Sequence, residues 1–210
     1  MKKTKIDLFS LFLSLQRRAS NMKNILVIDN YDSFVYNLVQ LLRENGKCRF
    51  DIVRNDCIDF SQLSQYDGLL LSPGPGIPSE AGDLIRVIKQ CKTTHSILGI
   101  CLGHQAIAES FGAKLEQLPF PRHGHESPLI IQDTEDPIYR NLPPQAIIGR
   151  YHSWTVTPSS LPPTLKVSAI DEEGHIMSFY HPTLPIHGLQ FHPESIITNI
   201  GPLLINNWIE

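Results

Sequence analysis

From residue 22 onward, short and largely apolar runs alternate with amphipathic stretches, and this alternation restricts the possible folds more than any other feature. The runs are typical of strands buried in a parallel sheet, and they are Ile25–Ile28, Phe50–Val53, Leu69–Leu71 and Ser96–Ile100. Helical spacing of apolar residues predicts helices between them, which follow Asp32 and Asp59 and cover Asp83–Cys91 and His104–Phe111. This order predicts an α/β fold, with an open, mostly parallel sheet and helices on both faces.

The second half of the chain has a different character, because prolines cluster between residues 119 and 163. Short strands between prolines are typical of hairpins and edge strands, so antiparallel strands are expected beside the main sheet. These strands are Leu129–Gln132, Ala146–Arg150, Lys166–Ile170 and Ile176–Tyr180. A strand at Pro185–Phe191 and a helix at Pro202–Trp208 follow. No repeat or long linker divides the chain, which predicts one domain over residues 22–210.

Residues 1–21 stand apart from this pattern. They have a basic start and a short apolar part, which resembles a signal peptide, but Asp7, Ser10 and Ser14 interrupt the apolar part. Arg17 and Arg18 lie where a cleavage site needs small residues. The expectation is an N-terminal extension that is disordered or reflects an upstream start codon.

Composition argues against several classes of protein. The net charge of -3 and the pI near 6.3 give no general basic surface for nucleic acid. No apolar stretch reaches the roughly 20 residues that a membrane-spanning helix needs. The four cysteines form no C-x-x-C pair, so neither a zinc site nor a thioredoxin-type motif is expected. Reduced thiols in a cytoplasmic protein are the expectation.

The strongest chemical signal is G-I-C-L-G at residues 99–103. An apolar strand leads directly into Cys101, with glycine two residues away on each side, as in a nucleophile elbow with cysteine in place of serine. Such a turn places the sulfur near a helix N-terminus, whose positive end favours thiolate over thiol. The backbone N–H of Leu102 could then donate to an oxyanion. A buried, inert cysteine between two packing glycines is the alternative at this point.

A second signal, F-H-P-E at residues 191–194, follows the last apolar strand. His192 and Glu194 are two residues apart, so their side chains point the same way in an extended chain. The carboxylate would orient the imidazole, and the imidazole could take a proton from a thiol. Taken alone, the pair could equally be a histidine and a glutamate on the surface at a strand end.

A third signal, S-P-G-P-G-I-P at residues 72–78, also follows a buried strand. Glycines there let backbone N–H groups approach a ligand, and the prolines stiffen the loop. The loop lacks the G-K-[ST] ending of a phosphate loop, and a rigid turn without a ligand is the alternative. Because the ends of parallel strands share one sheet edge, the three signals together predict a single site.

SPGPGIP, GICLGHQ and FHPE, in this order along the chain, resemble the motifs of the triad-type (class I) glutamine amidotransferases, and the resemblance covers residues 22–210. It implies a flavodoxin-like open sheet. The segments VIDNYDSFVYNL and GRYHSW narrow the resemblance to the small subunits of anthranilate synthase and aminodeoxychorismate synthase.

The resemblance implies roles for individual residues. Cys101 would attack the side-chain amide of L-glutamine, His192 would carry the proton to the departing ammonia, and Glu194 would orient His192. The oxyanion would be bound by backbone N–H groups of Gly76 and Leu102. The remaining residues of the glutamine site would be Gly74, Pro75, Gln105, Ser153 and Trp154.

The resemblance also implies a partner. Ammonia would pass to a large synthase subunit that uses chorismate, and magnesium would be needed only in that subunit, with no cofactor in this chain. Many relatives carry lysine where this chain has His125, which lies in the segment expected to face the partner. Anthranilate synthase is preferred here over aminodeoxychorismate synthase, although one subunit can serve both.

Two interpretations from other classes stay open at the level of sequence. One is a cysteine hydrolase or peptidase of different specificity, and the other is a non-catalytic regulatory module that kept the fold. The loop at residues 72–78 and the YHSW segment argue against a peptidase, which needs an open groove. The complete set of Cys101, His192 and Glu194 argues against loss of chemistry.

Overall fold

The structure, a computed structural model, describes residues 22–210, and the predictions for residues 1–21 lie outside this range. The strands and helices follow the alternation seen in the sequence. In chain order they are β1 (Lys23–Asp29), α1 (Val35–Asn45), β2 (Cys48–Arg54), β3 (Gly68–Leu71), α2 (Leu84–Cys91), β4 (Ser96–Ile100), α3 (Leu102–Ser110), β5 (Leu115–Gln117), β6 (His125–Pro128), β7 (Ile130–Ile131), β8 (Ile147–Arg150), β9 (Trp154–Val156), β10 (Lys166–Ile170), β11 (Ile176–Tyr180), β12 (Ile186–Leu189) and α4 (Gly201–Ile209).

The main sheet has eight strands in the order β2-β1-β3-β4-β12-β11-β10-β7. The first five strands of this order are parallel to one another, and the last three pair antiparallel. The parallel part has the flavodoxin-like strand order, in which β2 is added on one side of β1 and the later strands are added on the other side, beginning with β3. Two small antiparallel sheets, β5-β9 and β6-β8, lie outside the main sheet. The predicted fold class is confirmed.

Helices cover both faces of the sheet and bury two apolar clusters. On one face α1 and α4 contribute side chains such as Leu38, Leu42 and Leu204, all of them fully buried. On the other face α2 and α3 contribute Val87, Ile88 and Ile107. Parallel strands buried on both sides need apolar residues at successive positions, which explains why their sequences lack polar alternation.

Most predicted elements are confirmed, with several changes at their ends. Helix α1 begins at Val35 and has no side-chain cap, because Asp32 instead accepts a hydrogen bond from the N–H of Phe34 at 2.7 Å. The helix ends at Gly46, which adopts the left-handed conformation with a φ of 66°. The helix expected after Asp59 is a single 3₁₀ turn, Leu63–Gln65.

The second half shows larger differences. The strand predicted at Leu129–Gln132 is confirmed as the shorter β7, whereas β6, which precedes Leu129 and pairs in a different sheet, was not predicted. Strands β5 and β9 are three residues each and have no periodic signal, since each is defined by the other, some 40 residues away. No helix among residues 22–210 is long and apolar enough to span a bilayer.

Close backbone approach explains the glycines of the G-I-C-L-G segment. A Cβ on Gly99 would lie 2.4 Å from the backbone carbon and oxygen of Gly103. A Cβ on Gly103 would in turn lie 2.5 Å from the carbonyl oxygen of Leu71 in β3. Helix α3 can therefore return against β3 and β4 only when both positions lack side chains.

We expect Gly99→Ala to lower the free energy of unfolding by about 3 kcal/mol or more, since the backbone must move to admit the methyl group. Gly174→Ala is the control, because its Cβ would meet nothing within 4 Å at a φ of 85°. Its expected loss is about 1 kcal/mol, from backbone conformation alone. Urea denaturation measures both values, and similar losses would contradict the packing argument.

Candidate active site

The pairing of β4 with β12 brings the predicted catalytic residues together. These strands are parallel neighbours, and Ile100 is in register with Leu189. Cys101 follows β4 directly, and His192 lies three residues beyond the end of β12. Both residues therefore emerge at the same sheet edge, although 91 positions separate them in the chain.

Cys101 has the strained backbone of a nucleophile elbow. Its φ of 51° and ψ of -100° lie in a region that residues with a Cβ rarely adopt. Helix α3 begins at the next residue, so the backbone N–H of Leu102 belongs to a first turn, whose donors have no intrahelical acceptor. The turn thus places a sulfur and a free N–H donor side by side.

His192 and Glu194 form a buried pair. The imidazole Nδ1 lies 2.6 Å from Oε1 of Glu194, and the two side chains are 2% and 0% exposed. Since the carboxylate accepts, Nδ1 carries a proton and donates, which leaves Nε2 for the sulfur. Burial opposes the charged imidazole, but interactions with Cys101 and then Glu194 raise the pKa of His192 to about 10.

Two aromatic side chains cover the imidazole. The ring centroids of Phe34 and Tyr151 lie 5.6 Å and 5.0 Å from that of His192, both edge-on. The hydroxyl of Tyr151 is also 3.0 Å from Oγ of Ser195. These contacts limit access of water to the triad and hold the imidazole in one orientation.

A cavity of about 260 Å³ opens beside the sulfur. Its volume suits a molecule the size of an amino acid. Five of the lining residues were predicted from the sequence: Gly76, Cys101, Gln105, Ser153 and Trp154. The other two, Gln117 and His152, were not predicted.

Of the predicted residues, Gly74, Pro75 and Leu102 do not line this cavity. A Cβ on Gly74 would lie 2.6 Å from side-chain atoms of Asn30 and Leu102, so glycine allows the loop to approach α3. Gly76 has a φ of 73°, in the left-handed region. Pro75 instead lines a neighbouring cavity of about 380 Å³.

The backbone around Trp154 is held by two side chains. The carbonyl oxygen of Trp154 accepts hydrogen bonds from Nε2 of Gln105 and Nδ1 of His152, each at 2.9 Å. Burial, and next the charge of Arg150, lowers the pKa of His152 to about 3, so its ring is neutral. Nε2 of His152 then accepts from Nε of Arg150 at 3.1 Å.

Arg150 is itself held by a buried carboxylate. Its Nη1 lies 2.5 Å from Oδ2 of Asp171, and the side chains are 2% and 1% exposed. The backbone N–H groups of Glu173 and His175 donate to the other oxygen of Asp171. Arg150 and His152 lie within the GRYHSW segment, but the sequence assigned a role to neither of them. No motif marked Asp171, because its partner Arg150 lies 21 positions away and only folding brings the two together.

Comparisons with known proteins agree with this geometry. The family model of class-I glutamine amidotransferases matches residues 26–210. Anthranilate synthase component 2 of Mycobacterium tuberculosis is 45% identical over 190 residues, which are 88% of this chain and 81% of that protein. Aminodeoxychorismate/anthranilate synthase component 2 of Bacillus subtilis is 43% identical, over 89% of this chain and 95% of that protein.

Solved structures give the same result. A Thermoplasma acidophilum protein assigned to GMP synthase superposes with a TM-score of 0.79 at 32% identity, covering 90% of this chain and 92% of that one. A glutamine amidotransferase of Thermotoga maritima, at 19% identity and a TM-score of 0.67, supports the fold. The chain belongs to the class-I glutamine amidotransferase family.

We expect Glu194→Gln to lower the measured pKa of His192 by about one to three pH units, because a neutral amide replaces the carboxylate. Wild-type His192 has a pKa raised from 6.5 to about 10, so its charged form stabilises the folded state below pH 6.5, and this contribution disappears as pH rises toward 10. In Glu194→Gln the loss of stability with rising pH should therefore occur over a lower pH range than in the wild type.

Titration of the histidine Cε1 protons by NMR measures the shift. His104 is the internal control, because burial lowers its pKa to about 3 and its ring should stay neutral above pH 5 in both proteins. An unchanged titration of His192 in Glu194→Gln would contradict the pairing.

Proposed function

We propose that the chain is the glutaminase subunit of anthranilate synthase, which hydrolyses L-glutamine to glutamate and delivers ammonia to a large subunit that uses chorismate. The observation that carries the proposal is the pair His192–Glu194 beside Cys101, whose side chain lines a cavity the size of an amino acid. The names of the two curated relatives support the choice of synthase.

The first half of the reaction forms a thioester. The thiolate of Cys101 attacks the side-chain amide carbon of glutamine, and the backbone N–H groups of Gly76 and Leu102 stabilise the oxyanion. The protonated His192 gives its Nε2 proton to the amide nitrogen, the C–N bond breaks, and ammonia leaves. A γ-glutamyl thioester on Cys101 remains.

The second half consumes one water. The now neutral His192 takes a proton from the water, which attacks the thioester carbonyl. The C–S bond breaks, glutamate leaves, and the thiolate and the histidine cation are restored. The net change is glutamine plus water to glutamate plus ammonia. Glu194 stays ionised and holds the imidazole in one tautomer through both halves.

The site is bordered by exposed apolar side chains, which support docking of a large subunit. Ile196, two residues after Glu194, is fully exposed, and Phe120 is 75% exposed. The segment that carries Phe120 is tied to the cavity wall, because the backbone N–H of Leu118 donates to the carbonyl of Ser153. Large exposed apolar groups near a site are typical of protein interfaces. Magnesium belongs to the partner, and the cytoplasm is the proposed location.

His125 lies on the same proposed surface. It is exposed on β6, and its Nδ1 is 2.8 Å from the carbonyl oxygen of Glu126. Lysine at this position would add a permanent charge. We therefore expect His125→Lys to change affinity for the large subunit with little effect on alkylation of Cys101, as measured by titration calorimetry and mass spectrometry.

Aminodeoxychorismate synthase is the second candidate for the assembly. The relative from Bacillus subtilis supports it, because its name joins both synthases. Capture of each large subunit by the tagged chain distinguishes the candidates, and a single chain that binds both would show dual use.

We expect Cys101→Ala, in complex with the large subunit, to lose glutamine-dependent product formation by about 10⁴-fold or more, because the nucleophile is gone. Added ammonium salt should restore product, since the large subunit then receives ammonia from solution. Cys57→Ala is the matched control, because Cys57 is an exposed thiol outside the site. Glutamine-dependent activity that survives in Cys101→Ala would refute the proposed function.

A further inference from the structure

Gln190 is a fully buried glutamine at the point where β12 ends, two residues before His192. A buried carboxamide is costly unless its polar atoms are hydrogen-bonded. Both atoms of this one have partners in the active site: its oxygen faces Gln105, and its nitrogen faces the sulfur of Cys101. Neither partner lies near Gln190 in sequence.

The hydrogen-bond chain determines which end of the amide faces the sulfur. The carbonyl oxygen of Trp154 can only accept, so the atom of Gln105 that lies 2.9 Å away is the nitrogen. That same nitrogen lies 3.1 Å from an atom of Gln190, which must then be the oxygen. The NH₂ group of Gln190 is left to point at Sγ of Cys101, at 3.7 Å. The orientation follows from the donor and acceptor chemistry of the three groups.

The same chain determines what Gln105 presents to the cavity. Its two N–H groups are used by Trp154 and Gln190, so its oxygen is the atom that remains for substrate. An oxygen there accepts from an N–H of glutamine. If Gln190 were absent, the amide of Gln105 would lose one of its two fixed acceptors and could rotate.

We propose that Gln190 is a further catalytic residue, which donates a hydrogen bond to the sulfur of Cys101 and holds Gln105 in its substrate-binding orientation. The role rests on the proposed function of the site. An N–H donor stabilises the thiolate before attack, and it does so again when the thiolate is the leaving group of thioester hydrolysis. Gln190 thus acts on the sulfur of Cys101 in both halves of the reaction.

The test is the pH dependence of alkylation of Cys101 by iodoacetamide, followed by peptide mass spectrometry. Gln190→Met has nearly the same shape and no donor, so the midpoint of alkylation should move about one pH unit upward. Gln190→Glu keeps an acceptor for Gln105 but puts a carboxylate beside the sulfur, and should move the midpoint further. The exposed Cys57 in the same samples is the internal control, and its profile should not change.

Glutaminase kinetics of the complex with the large subunit provide a second measurement. Gln190→Met should lower kcat and raise KM for glutamine, whereas Gln190→Glu, which retains the acceptor, should affect KM less. Thermal unfolding checks that each variant is folded, and Gln190→Glu carries the test if Gln190→Met does not fold.

A folded variant with the alkylation midpoint of the wild type would overturn the role. A shifted midpoint in a protein that never releases ammonia from glutamine would instead support the contact and refute only the proposed function, because alkylation requires neither glutamine nor a partner.

Discussion

The pairing of β4 with β12 is the interaction on which the rest of the site depends. It joins a strand near the middle of the chain to one near its end, with Gly99 opposite Gly188 and Ile100 opposite Leu189. A one-residue slip would turn each side chain to the opposite face of the sheet and separate the sulfur from the imidazole. Small residues at the paired positions matter here, since a Cβ on Gly188 would lie 2.7 Å from His104.

A layer of buried polar groups gives the site its rigidity. The pairs Arg150–Asp171 and His192–Glu194 are almost completely shielded from solvent, and the carbonyl of Trp154 joins the first pair to the cavity through His152. Buried charges are costly when they lose a partner, so such networks have few alternative arrangements. Under the proposed function, these surroundings would not need to reorganise during the reaction.

The strain at Cys101 has its physical explanation in the same architecture. Its unusual φ and ψ persist because β4, β3 and α3 are packed too closely for the chain to relax, as the short distances at Gly99 and Gly103 show. The packing of α3 against β3 and β4 therefore holds Cys101 in this conformation. Gly99 and Gly103 are therefore needed both for the packing of α3 and for the backbone conformation of Cys101.

The fold class and part of the candidate site could be predicted from the sequence. Apolar runs and helical spacing determined the α/β class, and glycines around a cysteine indicated an elbow, because these signals act between residues close in the chain. The motifs also placed Cys101, His192 and Glu194 at strand ends. Tertiary structure alone decided the pairs β5-β9 and β6-β8, the contacts of Gln190 and the pairing of Arg150 with Asp171. Each of those is defined by a partner on another element, and no local pattern encodes a partner that only folding brings near.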